Sequence, residues 1–67
     1  MPKHPAADAH RTAAKKHEDA MKAHTDAAAA HEGGQHEAGQ EHAESASIHA
    51  DQAKQSSDQA KTQSGTP

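Results

Sequence analysis

Sixty-seven residues suffice for one small domain, yet this chain has no cysteine, no aromatic residue, no leucine and no valine. Its 30% apolar content is seventeen alanines, two methionines and Ile48, which leaves no conventional core, no membrane-spanning segment, no disulfide and no thiolate metal site. The formal charge is −3 with the eight histidines neutral; an unperturbed imidazole is protonated below about pH 6, and eight added charges take the chain to +5.

Residues 1–4 read as a flexible tail. Pro5 suits the first turn of a helix, where its missing N–H is not needed. Asp8 favours the same end through the helix dipole. The first helix is expected over about 5–32. Alanines fall at 6, 9, 13, 20, 23, 27 and 30, alternating steps of three and four with Lys16 as the one interruption. Such steps return a side chain to one helix face. His10, His17, His24 and His31 follow at strict seven-residue spacing, so they form a row. Asp8, Arg11, Thr12, Lys15, Glu18, Asp19, Lys22, Thr25 and Asp26 make a solvated strip, in which Glu18 and Lys22 stand in the favourable i,i+4 order.

Gly33-Gly34 ends this helix, since glycine accepts the left-handed conformation of a C-terminal stop. A second helix is expected over about 35–63. Its matching row is His36, Gly39, Ala43, Ala46, Ala50, Ala53, Ser57 and Ala60. Glu37, Glu41 and Glu44 come early and Lys54 and Lys61 late, as the dipole favours. Gly39 weakens the start of this helix by about 1 kcal/mol relative to alanine. Ser56-Ser57-Asp58-Gln59 resembles a capping box, where the helix is expected to break and restart. Residues 64–67 read as a disordered tail.

A short turn between two matched rows predicts an all-α fold: an antiparallel two-helix hairpin with an alanine-rich, coiled-coil-like heptad seam. A second stripe on the first helix, Ala7, His10, Ala14, His17, Met21, His24, Ala28 and His31, is then left facing outward. It predicts self-association, with two hairpins forming a four-helix bundle. Ile48 falls on the outer face of the second helix.

Several function classes are disfavoured. Without a basic patch or a stacking aromatic, no nucleic-acid partner is expected. A helix face lacking large apolar side chains does not hold a membrane surface. The absence of an apolar run at the N-terminus makes cytoplasm the expected location. Serine, histidine and aspartate are present, but alanines cannot wall a dry pocket, so the chain is not read as an enzyme.

Histidine points to divalent transition metal, because neutral imidazole suits nickel, copper and zinc. Chelation within one helix needs ligands at i,i+3 or i,i+4, and no histidine pair has that spacing. His10 and His17 lie about 10 Å apart along the axis. His31 and His36 are separated by the glycine turn, and His36 to His42 is a step onto a different face. Pairs between helices are better placed. A hairpin closing at Gly33-Gly34 brings Asp26 near His42 and Asp19 near His49. In an antiparallel dimer along the second stripe, His17 meets the partner's His24, and His10 meets its His31. A separate candidate is the terminus left if Met1 is removed. The free amine of Pro2, two backbone amides and His4 form a square-planar nitrogen set for Cu(II) or Ni(II). The candidate ligands are therefore His10, His17, His24, His31, His42, His49 and His4, with no tightly bound cofactor.

The stretches AADAHRTAAKKHEDAMKAH and HEGGQHEAGQEHAESASIHADQAK, with His36-Glu37, His42-Ala43 and His49-Ala50 after the glycines, resemble a group of short histidine- and alanine-rich bacterial proteins. The resemblance spans residues 6–54 and implies no particular activity. This chain carries single histidines where those proteins carry doubled ones. The segment DQAKQSSDQAKTQSG is similar to the repeats of group 3 late-embryogenesis-abundant proteins, which are disordered in water and helical when dried. The leading expectation is a non-enzymatic, low-affinity buffer of nickel, copper or zinc. The alternatives are a stress-protective or scaffolding helical protein without a specific ligand, and a pH-responsive helix–helix interaction module.

Overall fold

The computed structural model describes residues 4–65. They form α1 (Pro5–Glu32) and α2 (His36–Ser64), which lie side by side as a hairpin. The described chain is a rod with extents of 52 × 18 × 10 Å and a radius of gyration of 15.4 Å. A compact chain of this length would have a radius of about 11 Å. No described helix is long and apolar enough to cross a membrane.

α1 begins on a polar cap. His4 is extended, and its Nδ1 accepts from the Ala6 backbone N–H at 3.1 Å, in the manner of an N-cap side chain. Pro5 follows at the first helical position. Asp8 stands in the first turn, paired with Arg11 at 3.1 Å. The other described ion pairs are Lys15–Asp19 at 3.7 Å and Lys54–Asp58 at 3.1 Å. Glu18 and Lys22, the pair expected from sequence, do not close within ion-pair distance. Lys22 instead borders a groove between the helices together with Asp19 and Asp26.

The turn is a Schellman motif. Gln35 N–H donates to the Ala30 carbonyl at 2.8 Å, and Gly34 N–H donates to that of His31 at 3.1 Å. Gly34 takes the left-handed conformation this requires, with φ +78°. Gly33, at φ −81°, does not. Gln35 is the N-cap of α2 rather than its first residue, and its carbonyl accepts from Gly39 N–H at 2.8 Å.

The two helices contribute unequally to the interface. α1 buries Ala6, Ala13, Ala20, Ala23, Ala27 and Ala30, which belong to both strands of its three-four pattern. α2 buries a single row, Gly39, Ala46, Ala53 and Ala60, and these three alanines are 0% exposed. α2 thus presents one row of small side chains to the interface and α1 presents two. This corrects the expected row of α2. Ala50 and His36 are exposed, Ala43 and Ser57 of the expected row are half-buried, and so are His42, His49 and Ser56 beside it. No side chain larger than alanine is fully buried among the described residues.

Nor does α2 break at Ser56. The Ser57 hydroxyl is bonded to His17 on α1, and the Asp58 carboxylate turns back to Lys54. The Asp58 carbonyl accepts from the Thr62 hydroxyl, a bond one turn apart within the continuous helix. The helix continues through Ser64, which the sequence reading assigns to a frayed tail. Its hydroxyl is tied to the Ala60 carbonyl at 2.9 Å and to His10 at 2.7 Å.

Candidate functional site: two histidine edges

An antiparallel hairpin has two long edges where the helices meet, and both carry histidine. On the first edge stands the row of α1. His10 Nε2 lies 2.7 Å from Ser64 Oγ, and His17 Nε2 lies 2.8 Å from Ser57 Oγ. A seven-residue step along α1 is thus matched by a seven-residue step back along α2. The same register brings His24 opposite Ala50 and His31 opposite Ala43. Alanine offers no partner, and His24 makes no hydrogen bond, ion pair or ring contact among the described residues.

The hydrogen bonds assign one tautomer. A hydroxyl has one proton to donate, and that of Ser64 goes to the Ala60 carbonyl. His10 Nε2 is therefore the donor to Ser64. The row remains exposed, as expected, although His10, His17 and His31 also reach across the edge to partners on α2.

His31 takes a different partner. It stands in the last turn of α1, and His36 opens α2. Their Nδ1 atoms are 3.1 Å apart, with ring centroids at 5.4 Å and planes tilted by 35°. One Nδ1 must donate and the other accept. The His31 ring rests over Gly39, and a Cβ built there would fall 2.6 Å from its Nε2 and 2.7 Å from its Cε1. Gly39 is a buried helix glycine because an imidazole occupies the space its side chain would need.

The second edge holds the carboxylates. Asp19, Lys22, Ala23 and Asp26 of α1 and His42, Ser45 and His49 of α2 line one groove of about 340 Å³. Asp19 and Asp26 are seven residues apart on one wall, and His42 and His49 are seven apart on the other. The expected partners thus share one groove, although no imidazole–carboxylate ion pair closes within 4.0 Å among the described residues. His49 Nδ1 is buried and has no hydrogen-bond partner.

Among the described residues no group of three or more histidine, aspartate or glutamate side chains converges as a ready-made metal cage. The square-planar terminal set needs Pro2 and Lys3, which lie outside the described residues. His4, its third-position ligand, holds the cap of α1. Sequence reasoning missed four participants. Ser57 and Ser64 carried a legible signal, since they repeat at the seven-residue spacing of His17 and His10. Gly39 carried another, as a glycine inside an otherwise good helix. His36 required the turn geometry.

No protein family's sequence profile, no curated protein and no solved structure matches the chain.

Proposed function

We propose that this chain is a non-enzymatic, histidine-rich protein that binds divalent transition metal ions, nickel, copper or zinc, as a low-affinity buffer. The observation that carries the reading is the groove in which His42 and His49 face Asp19 and Asp26 across the helix interface. Imidazole and carboxylate are the donors such ions take from a cysteine-free chain. An open groove with donors on two facing helices suits weak, exchangeable binding better than a closed structural site. His10, His17, His24 and His31 add a line of dispersed nitrogens on the other edge, and His4 adds one at the N-terminal cap.

Two hairpins are proposed to associate through the side of α1 that α2 leaves uncovered, where Ala14, Met21, His24 and Ala28 are exposed. Met21 is 65% exposed, the largest apolar side chain on that side. In that four-helix arrangement His24 would gain a partner from the second copy. A second reading, a protective or scaffolding helical protein without a ligand, is favoured by the interface itself, which buries only alanine methyls and one glycine.

The deciding experiment is titration of the metal-free protein with Ni(II), Cu(II) and Zn(II), following circular dichroism and bound stoichiometry together. Saturable binding at a fixed stoichiometry, weakened in a His42→Ala, His49→Ala double variant, is the expected result. Weak, unsaturable binding with unchanged helix content would remove the metal reading. A dried sample gaining helix from a disordered solution state would then favour the protective one.

A further inference from the structure

We infer that the hairpin turn is itself a metal site, a two-nitrogen chelate formed by His31 Nδ1 and His36 Nδ1 that takes a divalent transition metal ion in place of the proton they share. The inference rests on the metal-binding reading above and names a site outside the groove that supports it.

Geometry carries it. Two nitrogens that each bind an ion at about 2.0–2.1 Å, and that are 3.1 Å apart, subtend an angle at the ion of about 98°. That lies between the right angle of square-planar or octahedral sites and the tetrahedral angle. The ligands are five residues apart, a spacing that cannot converge along a single helix. They meet here because a Schellman turn of fixed hydrogen bonds lies between them. Both ends of the chelate are held. His31 sits in the last turn of a long helix with its ring seated over Gly39, and His36 is the first residue of the next helix.

The ligand chemistry follows. In the hydrogen-bonded pair one Nδ1 holds a proton and the other a lone pair. Moving that proton to Nε2 of the same ring leaves two Nδ1 lone pairs and two neutral imidazoles, the form that ligates metal. No net proton is released in that exchange. Both rings are exposed, so an ion reaches them from solvent and fills its remaining positions with water. Glu32 and Glu37, the exposed neighbours of the two ligands, give the turn a negative potential that favours cations.

The test uses the full chain and Zn(II), read by calorimetry and by imidazole nitrogen NMR. The variants are His36→Ala, Gly39→Ala and His24→Ala. Gly39→Ala keeps all eight histidines but places a methyl where the His31 ring lies, so a loss there cannot reflect histidine number. The first equivalent of Zn(II) is expected to shift the Nδ1 signals of His31 and His36. His36→Ala and Gly39→Ala are each expected to weaken that binding at least tenfold, and His24→Ala to leave it unchanged. Saturable Zn(II) binding that both turn variants retain within threefold would overturn the turn chelate while leaving the broader metal reading in place. Wild-type protein with no saturable binding would overturn both.

Discussion

His49 shows how a single nitrogen distributes its demands. Its Nδ1 is buried without a partner while the ring borders the aspartate groove. An unsatisfied buried polar atom lowers stability by roughly 1–3 kcal/mol, less at a half-buried site. His49→Leu should therefore raise stability by about 0.5–1 kcal/mol, measured by thermal or urea unfolding, while reducing metal uptake. A drop in stability would mean that the imidazole holds the groove together. Ser57 makes the complementary case. Ser57→Ala deletes the bond to His17 but places a better helix former in α2. An exposed hydrogen bond and the propensity gain are each about 0.5 kcal/mol, so unfolding should shift by only a few tenths. The His17 nitrogen signals, by contrast, should change clearly. A loss above about 1.5 kcal/mol would show that the edge bonds hold the hairpin together.

Within the elements, the adjacent glycines have different tasks. Gly34 has φ +78°, where an L side chain is strained, so Gly34→Ala should destabilise by about 1–2 kcal/mol. Gly33 has an ordinary φ, and a Cβ there would lie 3.4 Å from the Ala29 carbonyl oxygen. Gly33→Ala should be close to neutral in the same unfolding assay, and equal effects at the two positions would refute the turn assignment. The chain pattern made both helices and the glycine stop legible, because three-four spacing, Pro5 and Gly33-Gly34 each act through nearest neighbours. It did not show which glycine takes the left-handed conformation, since the Gly33-Gly34 pair permits either. Nor did it show that Ala50 is exposed and His49 half-buried, because helix rotation is set by the packing of α2 on α1, which the spacing within one helix does not fix. The same limit hid His31 and His36. Their spacing looks unhelpful until the turn folds them together, and the Gly39 that accommodates the ring reads from sequence only as a weak point in a helix.

At the level of the whole molecule, close approach of two alanine-lined helices leaves no room for growth. Ala53 is 0% exposed, and Ala53→Leu should force the helices apart and lower stability by about 1–3 kcal/mol. Small-angle scattering should show the thickened rod, and an unchanged profile would indicate that the helices are not in close contact. Charge acts at the same scale. Protonating all eight histidines changes the net charge from −3 to +5, so two associated hairpins would repel through histidine-lined sides. Sedimentation at pH 7.5 and pH 5 should show loss of mass in acid. Constant mass would remove pH-responsive association.

The uniformity of the buried row has one more consequence. Gly39, Ala46, Ala53 and Ala60 repeat at seven residues and differ by at most a methyl group. Sliding α2 past α1 by one repeat would bury nearly the same surface, so the interface is almost blind to its own alignment. In many coiled coils a lone buried polar residue removes such degeneracy. Here the task falls to the three-residue turn, because the steps of His10 with Ser64 and His17 with Ser57 repeat at the same seven residues and would re-form as His17 with Ser64 and His24 with Ser57 after a slide. The hairpin is a ruler with identical graduations and a zero mark at one end. Cutting the backbone between Gly33 and Gly34 would leave two helices free to trade alignments, and a single set of His17 and Ser57 resonances would give way to several.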